Sequence, residues 1–157
     1  FVFTNSVQAW GYLLYQLGYL DGKFLMKQWK VSRDFSTDVT NFLKAYHIRQ
    51  TSQFTQESLY LLGKSSLDLV EEMVAAQELE TDFDLITGLD AQLQIRHKKD
   101  IAVSAGEIMT RFGIKPGPGI GKLYHTIELE IVRGNLINRP EAIFNYVKEK
   151  SNDGNND

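Results

Sequence analysis

The sequence predicts an all-α fold, with about eight or nine helices in two packed helical subdomains. Apolar residues recur three and four positions apart through nearly every segment, which is the spacing of one helix face. Residues that start and stop helices bracket those stripes. No Asn-Gly or similar pair joins two alternating apolar runs, so the signal of a β-hairpin is missing.

The elements follow in order. Val7, Trp10, Leu13, Leu14 and Leu17 make a first stripe, which Gly18 ends. Asp21 is placed to cap a short helix holding Phe24, Leu25 and Trp29, and Ser32 to open a longer one with Phe35, Val39, Phe42, Leu43 and Tyr46 on one face. Leu59 to Leu62 read as a short helix stopped at Gly63. Ser65-Ser-Leu-Asp68 then opens another, carrying Leu69, Val70, Met73 and Val74, and Leu85, Ile86, Leu89 and Leu93 make the next face. Further on, Ser104-Ala-Gly-Glu107 has the form of a capping box ahead of Ile108, Met109 and Phe112, with Gly113 placed to take the left-handed conformation after the last turn. Pro116 and Pro118 forbid one continuous helix, so the chain turns and restarts around Gly119. Ile120, Leu123, Tyr124, Ile127, Ile131 and Val132 form the next stripe, closed by Gly134. Asn138-Arg-Pro-Glu141 reads as a last start, with Asn138 as N-cap, Pro140 in the first turn and Glu141 at the capping-box position.

A boundary is expected near Arg96-His-Lys-Lys99, where an acidic helical segment gives way to a basic link. This yields helical parts over residues 1–99 and 100–150, with a polar, disordered 151–157. At 157 residues and 43% hydrophobic content the chain is long enough to bury a core. Its apolar runs, such as Leu59-Tyr-Leu-Leu62, fall far short of the roughly 20 residues that span a bilayer, and no signal-peptide pattern is present. Zero cysteines remove disulfide and thiolate-metal schemes and fit a cytoplasmic protein.

The net charge of −3 conceals a segregation. Residues 1–56 carry six basic and three acidic side chains, residues 57–95 one and nine, and residues 96–150 ten and six. Local field, not net charge, is what meets a phosphate backbone, although solvated helix faces would give the same pattern.

Candidate chemistry is sparse. Asp82-Phe-Asp84 has the spacing of a metal-binding pair but lies in a helical acidic stretch with no phosphate-cradling turn beside it, so it reads as solvated or helix N-terminal charge. Lys122 follows Gly121, yet Pro116 stands where a P-loop needs glycine and Leu123 where it needs Ser or Thr. His47, His97 and His125 are scattered, and no zinc spacing appears. Neither catalytic nor metal-ligating residues are therefore expected. Trp10, Phe24, Trp29, Phe35, Phe42 and Tyr46 fall on core faces. Pro118-Gly-Ile-Gly121 admits two readings: a helix start whose free amides at Gly119 and Gly121 meet a phosphate, or a corner where only glycine lets two backbones approach. Arg96, Lys98, Lys99, Arg111, Lys115, Lys122, Arg133 and Arg139 are the candidate nucleic-acid contacts.

Taken together, Ile101 to Met109, the Gly113 to Lys122 turn, Ile127-Glu-Leu-Glu-Ile-Val-Arg-Gly134 and Leu136-Ile-Asn138 resemble the C-terminal region of bacterial class II CCA-adding enzymes, the tRNA nucleotidyltransferases related to bacterial poly(A) polymerases. The resemblance is strongest over residues 100–147 and continues upstream through Trp10 to Gly18 and Trp29-Lys-Val31. Members commonly carry glycine and aspartate where this chain has Ala105 and Glu107, and both changes keep an acidic helix start. The resemblance implies a poly(A)-polymerase-like helical body over 1–99 and tail over 100–150. These would grip the acceptor stem and T arm of tRNA, with the ten residues Arg96, Lys98, Lys99, Arg111, Lys115, Gly119, Gly121, Lys122, Arg133 and Arg139 as contacts. Family members hold magnesium, CTP and ATP in an N-terminal head marked by a Gly-Ser turn, and nothing here resembles that turn. With Phe1 in place of a start methionine, the chain is expected to be a fragment, inactive alone and without a cofactor of its own. A helix-hairpin-helix DNA-binding or protein-interaction module is the alternative, as is the same region of a poly(A) polymerase.

Overall fold

A computed structural model describes residues 2–153, with Met26 described by its backbone alone. Among the described residues the chain forms α1 (Ser6–Gln16), α2 (Lys23–Trp29), α3 (Arg33–Thr51), α4 (Gln56–Leu62), α5 (Lys64–Ala76), α6 (Phe83–Gln92), a 3-10 turn (Lys98–Asp100), α7 (Ala105–Phe112), α8 (Pro118–Val132) and α9 (Pro140–Asp153). No strand occurs among them, so the all-helical expectation holds. Two compact units result, Phe1–Gln92 and Leu93–Asp157.

The first unit is organised on α3. Ser32 Oγ accepts the Phe35 N–H at 3.1 Å and starts the helix, as its sequence predicts. Val39, Phe42, Leu43, Ala45 and Tyr46 are buried along one face. α1 lies against that face at Gly11, where an added Cβ would stand 2.2 Å from the Phe42 ring. The Gln8 side chain donates to Leu69 O at 2.8 Å and ties α1 to α5. Between α3 and α5, Arg49 Nε meets the fully buried Glu71 carboxylate at 2.7 Å. The other Glu71 oxygen accepts the Asp82 N–H at 2.7 Å, and Arg49 also donates to Glu80 O at 2.8 Å, so one buried carboxylate fixes the link into α6.

The second unit packs Ile95, Ile101, Val103, Ile108, Ile120, Ile127, Ile131, Val132, Leu136, Ile143 and Val147 into its core. Gln94 shows why the division falls at 92/93 rather than at 99/100. Its amide donates to Ile131 O at 3.1 Å and Leu136 O at 2.9 Å beyond the end of α8, and its oxygen accepts the Asn138 N–H at 2.9 Å.

Four local expectations change. α5 starts at Lys64, with Gly63 at its N-cap, so Ser65 lies inside the helix instead of opening it. Trp29 is 62% exposed at the last residue of a seven-residue helix, although one side of its ring lies beside Trp10, 5.6 Å away between centroids. Asn138 does not cap α9: its carboxamide accepts the Ala102 N–H at 2.8 Å and donates to Asp100 O at 2.9 Å. α9 itself runs to Asp153, so residues 151–153 are helical, while 154–157 lie outside the described residues.

Candidate nucleic-acid interface

Local chemistry builds the corner between α7 and α8. Ser104 Oγ accepts the Glu107 N–H at 3.1 Å, and Glu107 Oε2 accepts the Ser104 N–H at 2.7 Å, completing the capping box that the sequence spells. α7 ends at Gly113, left-handed with φ 65°, and Ile114 N–H closes back on Met109 O at 3.0 Å. Gly117 then takes φ 155°, and Pro118 opens α8 at the position where a missing N–H costs nothing.

No side chain caps α8. The first-turn N–H groups of a helix have no partner within it and sit at the positive end of its dipole. Gly119 and Gly121 are exposed, and a Cβ at either would meet nothing within 4 Å. Close backbone approach therefore does not explain these two glycines. An open helix start is what the geometry leaves, flanked by the exposed Lys115 and Lys122.

All ten residues read as contacts lie in the second unit, but they do not form one patch. Arg111, Lys115, Gly119, Gly121 and Lys122 run from the last turn of α7 through the corner into the first two turns of α8. Arg96, Lys98 and Lys99 belong to the 3-10 turn and the segment before it. There Asp100 Oδ2 accepts the N–H groups of Arg96 and His97 at 3.0 and 2.9 Å. Lys98 Nζ lies 3.7 Å from Glu128 Oε2 and 5.3 Å from the centre of the Tyr124 ring, so its charge is already matched by α8. Arg133, at the far end of α8 and about 17 Å along the axis from Lys122, pairs with Glu130 at 3.2 Å. Arg139 is exposed immediately before α9, where its carbonyl accepts the Ile143 N–H at 3.0 Å.

Among the described residues of this unit, three groups titrate away from their ordinary values. Asp100 is lowered by the N–H groups of Arg96 and His97, and Glu107 by those of Ser104, its backbone first and its hydroxyl second. Tyr124 is raised, first by burial and then by the charges of Glu128 and Glu107, which keeps its hydroxyl protonated to donate to Val103 O at 2.9 Å.

Two long-range contacts are not given by sequence spacing, Arg111 with Phe144 and Lys98 with Glu128. Phe144 on α9 lies under the Arg111 guanidinium at 4.2 Å, a pair 33 positions apart that no spacing rule connects. Glu128, which meets Lys98 and lies 3.6 Å from His125, carries only a generic i,i+3 signal.

The family model for tRNA nucleotidyltransferase domain 2 matches residues 1–147. The chain belongs to this family. Among its relatives, the CCA-adding enzyme of Streptococcus mutans serotype c (strain ATCC 700610 / UA159) is 39% identical over 150 residues, covering 96% of this chain and 37% of that protein. That of Streptococcus suis (strain 05ZYH33) is 40% identical over 148 residues, covering 94% and 37%. The crystal structure of the Bacillus stearothermophilus CCA-adding enzyme in complex with CTP shares the fold, with a TM-score of 0.82 at 19% identity over 98% of this chain and 40% of that one. This member of the tRNA nucleotidyltransferase domain 2 family thus spans little more than a third of the length of the relatives it matches.

Asp82 and Asp84 are not arranged as a metal-binding pair. Asp82 is turned to Arg49, 3.3 Å from its Nε, and Asp84 is exposed in the first turn of α6. Among the described residues no group of three or more His, Asp or Glu side chains is placed to share an ion. No described helix is long and apolar enough to cross a membrane.

Proposed function

We propose that this chain is the tRNA-gripping body and tail of a cytoplasmic CCA-adding tRNA nucleotidyltransferase. In this reading the second unit holds the acceptor stem and T arm. Addition of C, C and A from CTP and ATP with magnesium belongs to a catalytic head outside these residues. The observation that carries the reading is the family match over residues 1–147 together with CCA-adding relatives at 39–40% identity across nearly the whole chain.

The chemistry of the α7–α8 corner suits the task. A-form RNA hides its base edges in a deep, narrow groove, so an enzyme that serves all tRNAs must read phosphates, 2′-hydroxyls and shape. An uncapped helix start with open glycines offers backbone N–H groups to a phosphate, and Lys115 and Lys122 add charge without demanding a particular base. Arg111 continues the same edge, and Arg96, Lys99 and Arg139 supply outlying contacts. Lys98 and Arg133, matched by Glu128 and Glu130, contribute less.

The test is fluorescence anisotropy of the chain with a labelled acceptor–T-arm minihelix, competed at fixed salt by duplex DNA of equal length. Preference for the minihelix supports the tRNA reading. Equal or better competition by DNA would replace it with a helix-hairpin-helix DNA-binding module, because the same open amides can meet a DNA phosphate.

A further inference from the structure

We infer that Phe144 is a positioning residue for RNA contact: its ring holds the Arg111 guanidinium in place as a preset donor for a phosphodiester. The inference rests on the tRNA reading above and assigns a role inside it to a side chain of α9, away from the glycine corner.

Three observations converge on the pair. The Arg111 Cζ stands 4.2 Å from the centre of the Phe144 ring, within the range of a cation–π contact. The ring is itself steadied on the other helix, with Phe112 6.2 Å away between centroids. Arg111 and Phe144 both line two open depressions, one of about 630 Å³ shared with Ser104, Gly106, Glu107 and Thr110, the other of about 360 Å³ shared with Pro140, Glu141 and Asn145, so the stack is open to an approaching strand.

What holds each cation separates Arg111 from its neighbours. Lys98 and Arg133 are held by carboxylates, which orient them but cancel their charge toward an anion. A ring orients a guanidinium through its quadrupole and leaves the full charge and the N–H fork unspent. Two carboxylates share the depressions with Arg111: Glu107, one turn before it, is already engaged by Ser104 across the capping box, and Glu141 lines the smaller depression from α9. A planar fork fixed before binding loses less rotamer freedom on meeting a phosphate than a mobile side chain does. Stacking therefore contributes affinity through pre-organisation without touching the RNA.

The experiment measures minihelix affinity and its salt dependence for the full chain and for R111A, F144L, F144Y and R111A/F144L, with K122E as a control at the glycine corner and thermal melts to compare folding. Phe144→Leu keeps apolar volume but removes the π face, and is expected to weaken binding about threefold while leaving the salt slope unchanged, since the Arg111 charge remains. Phe144→Tyr restores the ring and should bind as the parent does. Arg111→Ala should reduce the slope by about one, and adding F144L to it should cost nothing more. Equal loss from F144L in both backgrounds, or an F144Y as weak as F144L, would overturn the inference by making Phe144 a packing residue only. An R111A that binds like the parent while K122E is weakened overturns it and leaves the tRNA reading standing. A parent chain with no preference for the minihelix sinks both.

Discussion

At Arg49 and Glu71 the energetics turn on desolvation. Glu71 is fully buried, and its carboxylate is satisfied by the Arg49 Nε and the Asp82 N–H, both at 2.7 Å. Removing one partner of a buried pair leaves a charge without compensation, at a cost of about 3–5 kcal/mol, which partial exposure of the cation reduces. Arg49 keeps 24% of its side-chain surface in solvent, so Arg49→Met is expected to destabilise the first unit by about 2–3 kcal/mol in urea denaturation. Asp100 and Glu107 act differently, because both are exposed acceptors of backbone N–H bonds. Their folded values lie below the unfolded ones. Their contribution is therefore complete above the unfolded values near pH 4 and is lost as pH falls through the folded ones. Melting temperature followed from pH 6 to 2.5 should drop in this window, and the double variant D100N/E107Q should show a shallower drop from a lower starting point.

Among the elements, α1 and α7 separate local from tertiary control. The start of α7 is written within four residues, and the Ser104–Glu107 box forms as spelled because both partners are neighbours in sequence. Gly11 looks by contrast like a weak point of α1, since glycine in a helix interior costs about 1 kcal/mol relative to alanine. Its reason lies in another helix: an alanine methyl would stand 2.2 Å from Cδ1 and 2.8 Å from Cε1 of a Phe42 ring that has no exposed surface to move into. Overpacking of this kind costs about 1–3 kcal/mol, more than propensity returns. Gly11→Ala should therefore lower stability by about 1–2 kcal/mol; a gain in the denaturation midpoint would show that α1 can shift off α3 freely. Asn138 makes the same point in reverse. Its sequence context spells an N-cap, yet in the fold its carboxamide joins Ala102 and Asp100, bonds that reach 36 and 38 positions back along the chain.

For the whole molecule, the contrast of charge between the units is the property that bears on the proposed function. Ten basic side chains fall in Leu93–Asp157, while the acidic run of residues 57–95 lies almost wholly in Phe1–Gln92. If the α7–α8 corner meets phosphates, Lys115→Glu with Lys122→Glu should weaken minihelix binding for every tRNA species alike and lower the salt slope by about two. Unchanged binding in a salt titration would move the contact surface elsewhere. The all-helical class, the bounds of most helices, the capping box and the turn at Gly113 to Pro118 were legible in the sequence because each depends on residues within a few positions of one another. The family was legible for the same reason, since its signature is a run of such local motifs. Only the tertiary structure decided that Gln94 belongs with α8, that Trp29 faces water, that Gly11 yields space to Phe42, and that Arg111 rests on Phe144. Each of those is a contact between residues brought together by burial, and burial is a property of the packed chain, which no local spacing encodes.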